Sequence, residues 1–347
     1  MKRPRILNRE SLKRLSIAGI FILAFTFSLR EINQAGGGYA NFPDRVISAN
    51  EESISISIPT GATGAEIAKI LETAGVVASA ESFFRAAVGN PKAGSIAPGT
   101  HLLSTKISGD KALEQLLDPK RIINLIKITE GAWNSEIFAQ MAATKIWSER
   151  PVQSAKSVLV PKGITALEGV LFPAQYSFAD GTSQVEALQS MVNRFSQVIS
   201  TLDFVDPAAK LSTQQLVAVA SLVQAEGDTK DFAQISRVIR NRLAIGMPLQ
   251  LDSTVHYLKS ARGEIFLSNK STKLKSPFNT YQNRGLPPAP IGNPGLAALK
   301  AAIAPADGDW LFFITVAPGD TRFTKSFSEF NNWKLLYQKN RKAGAFE

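Results

Sequence analysis

The stretch STQQLVAVASLVQAEG, residues 212–227, predicts the helix around which the larger part of the chain folds. Ser212 and Gln215 have the spacing of a capping box, in which each side chain satisfies a backbone N–H at the start of a helix. Residues 216–223 carry no charge, so the predicted helix is apolar around most of its circumference and should be buried. Its first acidic residue is Glu226, directly before Gly227.

The position of Glu226 suggests acid–base chemistry. A carboxyl group at the end of a buried helix loses contact with water, and this desolvation raises its pKa. A glutamic acid that keeps its proton near neutral pH can deliver that proton to a leaving group. Position alone also allows an ordinary solvated glutamate at a helix end.

The segments after Gly227 are predicted as a second helix, a short strand and a long loop. A helical pattern begins at Asp231 and stops at Gly246, and residues 249–252 alternate as in a β-strand. Residues 277–295 are rich in Pro, Gly and Asn, which predicts an irregular loop. Loops of this length in compact domains are usually functional.

The segment that precedes this core alternates between strand and helix patterns, as in a small α+β module. These patterns predict, in chain order, a strand at 53–58, a helix from Thr63, a helix at 80–88, a strand at 99–103, a helix at 110–117, a strand at 122–128 and a helix through Met141.

Residues 15–29, LSIAGIFILAFTFSL, form an uncharged and mostly apolar stretch between Arg14 and Arg30. At about 1.5 Å per residue this stretch is short for a bilayer core of about 30 Å, so a spanning helix must include flanking residues. We expect an uncleaved anchor at 15–31, with the basic tail in the cytoplasm and the rest of the chain outside. A cleaved signal peptide is the alternative, although no clear A-x-A site follows.

Charge and composition exclude several classes of function. Half of the net charge of +10 lies in residues 1–14, and the remainder is too diffuse to indicate nucleic-acid binding, although it suits an anionic wall polymer. The absence of Cys excludes disulfides and a thiol nucleophile. His101 and His256 lack the spacing of a zinc motif, so we expect neither a metal nor a cofactor.

Four blocks of the sequence carry a more specific signal. They are ITEGAWNSEI from Ile128, LEGVLFPAQYSF from Leu167, ASLVQAEGDTKDFAQISRVIRNRLAIGMPLQLDSTVHYL from Ala220 and SPFNTYQNRGLPPAPIGNPGLAALKAA from Ser276. In this order they resemble the motifs of the endolytic murein transglycosylase (YceG-like) family. The resemblance covers about residues 50 to 340, and several separated motifs in the right order make it specific.

The apolar stretch, the strand and helix patterns and the resemblance together predict an α+β fold. It would contain an N-terminal transmembrane helix, a small α+β module that the resemblance marks as LysM-like, and a larger mixed α/β catalytic domain. The expected parts are a cytoplasmic tail, an anchor, a linker, the LysM-like module, a second small α+β unit and the catalytic transglycosylase domain, at residues 1–14, 15–31, 32–52, 53–120, 121–165 and 166–342.

The resemblance also implies a site. The family's catalytic glutamate falls on Glu226 and its aspartate on Asp252, whereas Gln224 stands where a first glutamate is common and Ser253 where proline is common. Without the resemblance, the other polar residues singled out fit structural roles as well. The side chains expected to line the substrate groove are Gln224, Asn241, Gln250, Asp252, Thr254, Asn279, Thr280 and Tyr281.

The implied activity is that of a lyase. It cleaves the β-1,4 bond between N-acetylmuramic acid (MurNAc) and N-acetylglucosamine (GlcNAc) within peptidoglycan strands and leaves a 1,6-anhydroMurNAc end, thereby terminating nascent strands. The protein would be a single-pass protein of the bacterial cell membrane with its catalytic part outside, and peptidoglycan synthases are plausible partners. Two alternatives stay open: a non-catalytic wall-binding scaffold, suggested by Gln224, and a lysozyme-type hydrolase.

Overall fold

The computed structural model describes residues 39–47, 51–59, 61–144, 146–179, 181–206, 208, 210–262, 268 and 270–346. The tail and the anchor expected at 15–31 lie outside these ranges. Within the described ranges, none of the helices combines the length and the apolar character that a bilayer crossing requires.

The chain divides into two compact units that are interleaved in sequence. The first contains Ala62–Ile96 and Leu103–Leu117 together with the described residues before Ser55. The second contains Ser55–Gly61, Ala97–Leu102 and everything from Asp118 onward. The second unit is therefore assembled from three separate stretches of the chain.

The first unit is mainly helical. The first helix follows Thr63, as the sequence predicts, and Thr63 and Glu66 form a capping box at its start. Leu71 and Phe83 are fully buried. The likeness of this region to a LysM module stays a prediction. The helices are α1 (Gly64–Thr73), α2 (Ala80–Val88) and α3 (Gly109–Leu117).

The strands form three separate two-stranded sheets, which pair β1 with β2, β3 with β4 and β5 with β6. The last two sheets are antiparallel, with Ile126 opposite Tyr176 and Phe312 opposite Thr324. The strands are β1 (Ser53–Ile58), β2 (Gly99–Ser104), β3 (Leu125–Lys127), β4 (Gln175–Ser177), β5 (Phe312–Ala317) and β6 (Asp320–Thr324).

The second unit contains one helix, α6, that is buried along most of its length. Ser212 and Gln215 form its capping box, and every residue from Leu216 to Val223 is buried, so both predictions for this stretch are confirmed. Helix α6 packs against α7, α8 and α9. The helices are α4 (Asn134–Ala142), α5 (Gln184–Ser200), α6 (Thr213–Glu226), α7 (Phe232–Ala244), α8 (Asp252–Lys259), α9 (Leu296–Ile303) and α10 (Phe327–Lys342).

The strand predicted at 249–252 is wrong. Leu249 and Leu251 are buried, which explains the alternation, but Gln250 has a left-handed backbone with φ 49° and Asp252 already begins α8. The N–H groups of Gln250 and Leu251 donate to the carbonyl and the hydroxyl of Thr280 at 3.1 and 2.9 Å. The long loop therefore takes the hydrogen bonds that a neighbouring strand would have taken.

Two other predictions concern the lengths of elements. The strand expected at 122–128 is shorter, because only Leu125–Lys127 pairs with β4. The irregular loop expected at 277–295 is confirmed, since helix α9 begins directly after it. This loop contacts the start of α8 and so contributes to the site.

Candidate active site

Glu226 is the last residue of α6, and its side chain reaches the first turn of α8. The backbone N–H of Ser253 donates to Glu226 Oε1 at 3.3 Å. Glu226 is half-buried as a residue, and it is the acidic group at which the two helices meet. The sequence predicted a desolvated carboxyl group at this position.

The pKa of Glu226 is raised to about 7, mainly by burial and to a smaller extent by the negative charge of Asp252. Ser253 and the positive charge of Arg242 act in the opposite direction and lower this pKa. The desolvation effect is the largest of these. Near neutral pH, Glu226 is therefore able both to give up a proton and to take one back.

Asp252 lies beside Glu226 at the start of α8 and accepts a hydrogen bond from the hydroxyl of Tyr281. Burial, followed by this hydrogen bond and the charge of Asp252, raises the pKa of Tyr281. The phenol consequently stays protonated and acts as a donor. Of the polar residues predicted to line the groove, Asp252 and Tyr281 interact with the charge of Glu226.

Arg242 of α7 is a buried cation that the sequence reasoning missed. Its guanidinium donates to the carbonyl oxygens of Leu249 and Leu311 at 2.5 and 2.6 Å. Burial lowers the pKa of Arg242, whereas Glu226 and Tyr281 raise it. The residue thus connects the segment before α8 to the segment before β5 while its charge acts on the candidate acid. A basic residue late in an amphipathic helix looks like a dipole-capping residue, so no sequence pattern indicated this role.

Thr254 and Thr280 support the site from within the protein. Their hydroxyl groups lie 3.0 Å apart, and Thr254 also donates to the carbonyl of Leu251 at 2.7 Å. Both are buried, with exposed fractions of 0% and 2%. These two side chains hold the long loop against α8. Gln250, in contrast, is exposed. Contact of any of the three with a substrate stays a prediction.

Gln224 lies two residues before Glu226 on α6. Its side-chain oxygen accepts a hydrogen bond from the N–H of Gly295 at 3.0 Å, at the start of α9. A glutamate could accept the same bond and would bring a negative charge to the positive end of that helix. The departure from the family pattern therefore keeps the contact and removes a charge next to the candidate acid.

Asn241 and Asn279 make contacts away from Glu226. The Asn241 amide donates to the carbonyls of Gly308 and Trp310 at 3.2 and 2.9 Å. The Asn279 amide donates to the carbonyl of Leu274 at 2.7 Å and accepts from the N–H of Tyr281 at 3.0 Å. Both side chains organise the surrounding backbone, and their contact with a substrate stays a prediction.

A second buried carboxyl group, Glu168, was also missed. It accepts hydrogen bonds from the N–H of Asn134 at 3.1 Å, the hydroxyl of Tyr257 at 3.1 Å and the side chain of Asn293 at 3.4 Å. Burial raises its pKa to about 7, although the first two hydrogen bonds lower it. A lone acidic residue within the apolar block LEGVLFP was the available signal. Because Tyr257 belongs to α8, Glu168 is connected to the helix that contacts Glu226.

Metal ligation is not a feature of the described part of the chain. Among those residues, no group of three or more His, Asp or Glu side chains is placed to hold an ion.

A protonatable carboxyl between two packed helices, with a hydrogen-bonded aspartate beside it, is a candidate site for acid–base catalysis. The sequence profile of the YceG-like family matches residues 56–334. The chain belongs to this family.

Named relatives agree with this membership. The chain is 31% identical over 317 residues to an endolytic murein transglycosylase of Bacillus subtilis, an alignment that covers 84% of this chain and 88% of the relative. It is 28% identical over 336 residues to an endolytic murein transglycosylase of Streptococcus pneumoniae, covering 85% of this chain and 60% of that protein. A crystal structure of a yceG-like protein from Listeria monocytogenes matches 82% of this chain and 99% of its own, with a TM-score of 0.54 and 27% identity.

Proposed function

We propose that this protein is an endolytic peptidoglycan lytic transglycosylase, a lyase that cleaves the β-1,4 bond between MurNAc and GlcNAc within glycan strands. The observation that carries the proposal is the carboxyl group of Glu226, whose pKa burial raises to about 7. Membership of the YceG-like family and relatives that are named endolytic murein transglycosylases support it.

In the first step, protonated Glu226 gives its proton to the glycosidic oxygen, and the bond from that oxygen to C1 of MurNAc breaks. A group with a pKa of about 7 is protonated in roughly half of the molecules at neutral pH. The GlcNAc leaving group departs as a neutral alcohol. Positive charge develops at C1 of the muramoyl ring.

In the second step, the C6 hydroxyl of the same MurNAc attacks C1, and the Glu226 carboxylate takes the hydroxyl proton. One C–O bond breaks, one forms, and the enzyme returns to its starting protonation state. One carboxyl group serves both steps because the sugar supplies its own nucleophile. A hydrolase needs a second carboxyl group to activate water or to attack the sugar.

The test is the Glu226→Gln variant on purified peptidoglycan, with 1,6-anhydroMurNAc ends measured by mass spectrometry. Loss of the acid and base should lower the rate of release at least about 100-fold. Asp228→Asn is the matched control, since it neutralises an exposed acid two residues away, and it should keep most of the activity. Unchanged release by Glu226→Gln would refute the assignment.

The same experiment distinguishes the alternatives. Binding to peptidoglycan by the wild type without any new termini would indicate a non-catalytic scaffold. Reducing MurNAc ends, one water heavier than the anhydro product, would indicate a lysozyme-type hydrolase.

Further proposals concern the setting of the enzyme. The apolar stretch 15–29 after a basic tail supports a single-pass anchor, with the catalytic part of 166–342 and the LysM-like region of 53–120 outside the cell membrane. Peptidoglycan synthases are the proposed partners. Within the site, Asp252, Tyr281 and exposed Gln250 are the proposed substrate contacts, and the remaining predicted residues position them.

A further inference from the structure

A cavity of about 460 Å³ lies within the second unit and shares no residue with the site around Glu226. Its walls come from β4, from α5 and from two short segments, 57–59 and 98–99, all of which belong to that unit. We call it the β4–α5 cavity. Its volume is in the range of ligand pockets in proteins.

The lining of the β4–α5 cavity combines aromatic rings with uncharged polar groups. Tyr176 and Phe178 lie on alternate positions of the chain, and their rings are parallel within 2° at a centroid distance of 6.2 Å. Such rings offer a flat apolar surface, and the polar groups offer donors and acceptors for hydroxyl and acetamido groups. The polar side chains of the lining that are relevant here are Ser57, Gln175, Ser190, Asn193, Arg194 and Gln197.

Hydrogen bonds within the protein hold β4, which carries the aromatic wall of the cavity, in place. The Tyr176 hydroxyl donates to the carbonyl of Phe172 at 2.7 Å. The Ser177 hydroxyl accepts from the N–H of Thr100 at 2.8 Å and donates to the carbonyl of Ile123 at 2.5 Å. These bonds fix the aromatic wall before any ligand arrives, which reduces the entropy lost on binding.

Gly99 brings two parts of the wall into close contact. Its φ is 137°, and a Cβ at this position would lie 2.7 Å from the Cβ of Ser177. Any side chain here would push the 98–99 segment away from β4. The close approach thus shapes the cavity.

Helix α5 contributes the charged group. Asn193, Arg194 and Gln197 are exposed along this helix, and positions 193 and 197 are neighbours one turn apart. Among the described residues, Arg194 has no ion-pair partner. A guanidinium in this situation is available for a carboxylate ligand.

We propose that the β4–α5 cavity is a second glycan-binding site, which takes an acetamido sugar of a peptidoglycan strand. The amides of Asn193 and Gln197 bind the sugar's hydroxyl and acetamido groups, and Arg194 binds a carboxylate carried by MurNAc or its peptide. The inference rests on the proposed function for the identity of the strand. It adds a binding site that holds the polymer independently of the residues that cut it.

The test uses the full chain with Glu226→Gln, so that binding is measured without cleavage. The triple variant Asn193→Ala, Arg194→Ala, Gln197→Ala is compared with Asn332→Ala, Lys334→Ala, Gln338→Ala, which removes the same kinds of side chain from exposed positions of α10. Sedimentation with soluble uncrosslinked peptidoglycan strands gives the dissociation constant. We expect the dissociation constant to rise at least tenfold for the α5 triple variant and to change less than twofold for the α10 control.

Two additional readouts make the test specific. The single variant Arg194→Ala should weaken binding of peptidoglycan strands but not of neutral chitohexaose, whereas the α5 triple variant should weaken binding of both. With Glu226 restored, the α5 triple variant should raise KM and leave kcat unchanged. Thermal unfolding verifies that the variants are folded.

The outcomes separate this inference from the proposed function. Unchanged binding by the α5 triple variant, or an equal loss in the α10 control, overturns the second site even if wild-type protein releases anhydro ends. Weakened binding of both ligands supports the second site even if no anhydro ends are released, in which case the proposed function alone fails.

Discussion

Glu226 and Glu168 are two glutamates of the second unit whose pKa values burial raises to about 7. Glu168 accepts hydrogen bonds from Asn134, Tyr257 and Asn293, which come from three separate segments. Glu226 accepts a hydrogen bond from the backbone N–H of Ser253 at 3.3 Å, a partner that belongs to a single segment. The carboxyl group of Glu168 is therefore held by the fold, whereas the carboxyl group of Glu226 is the one proposed to exchange its proton with a ligand.

The charge of Asp252 sets a testable pH dependence. Because Asp252 raises the pKa of Glu226, neutralising it by Asp252→Asn should lower that pKa. Glu226 then loses its proton at lower pH, and the alkaline limb of the profile of kcat/KM against pH should move toward acid from about pH 7.

The control for this prediction is Tyr281→Phe, which removes the hydrogen bond to Asp252 but keeps the carboxylate charge. It should leave the alkaline limb at or above its wild-type position. The same acid shift in both variants would contradict the electrostatic explanation.

Glu168 should make stability depend on pH. Its pKa is about 7 in the folded protein and near 4.3 in an unfolded chain. The stability that protonated Glu168 contributes is fully present below the unfolded pKa and is lost as the pH rises through 7, by at most about 4 kcal/mol. Glu168→Gln should remove this contribution, so urea unfolding between pH 4.5 and 7.5 should show a smaller decline than in the wild type. An identical decline in both proteins would contradict the prediction.

Whether the role of a residue could be predicted from the sequence depends on how far along the chain its partners lie. The position of Glu226 follows from a local pattern, because a capping box fixes where α6 starts and an uncharged run shows that it is buried. The roles of Arg242 and Glu168 depend on partners far along the chain, such as Leu311 and Asn293. No spacing rule connects residues at those separations.

At the level of elements, the difference between local and long-range contacts explains why the strand predicted at 249–252 is wrong. The alternation reflects the burial of Leu249 and Leu251, but a strand also needs a neighbour that accepts and donates hydrogen bonds. Thr280, about thirty positions later, supplies those bonds instead. Helices such as α6 were easier to predict because their hydrogen bonds are local.

Asn293 connects the long loop to two other segments. Its side-chain oxygen accepts from the N–H groups of Gly169 and Leu171 at 3.1 and 2.8 Å, and its amide donates to the carbonyl of Ala132 and the side chain of Asn134 at 2.9 Å each. The residue is fully buried. The loop is therefore fixed by one side chain that bonds to two distant parts of the chain.

Replacing this residue, Asn293→Ala, should lower the free energy of unfolding by about 2 to 5 kcal/mol, because it leaves buried N–H and C=O groups without partners. Urea unfolding at a fixed pH measures the change. Asn332→Ala, the same substitution at an exposed position of α10, should cost less than about 0.5 kcal/mol. Equal effects of the two substitutions would refute the role assigned to Asn293.

At the level of the whole molecule, the second unit depends on segments that lie within the sequence of the first. Residues 97–102 bond to it through the N–H of Thr100, which donates to Ser177, and the carbonyl of Thr100, which accepts from Ile123. Arg121 also donates to the carbonyl of Leu102 at 2.9 Å. A division of the chain at a single position would cut through this unit.

A truncated chain should reveal this dependence. Residues 118–347 alone lack the partners of Ser177 and Ile123, so their thermal midpoint should lie at least about 5 °C below that of residues 51–347. A fragment 118–347 as stable as the longer chain would contradict the prediction.

The bonds of Asn293 also constrain the order in which the protein can be completed. A ribosome makes the chain from its N-terminus, and the partners of this side chain emerge 122 to 161 residues before it does. Until then the N–H groups of Gly169 and Leu171 lack their acceptor, and the long loop that packs beside Glu226 is not yet in place. Newly made chains should therefore be inactive and open to proteases until Asn293 has been synthesised, a delay that keeps a wall-cutting activity off during the earlier part of translation.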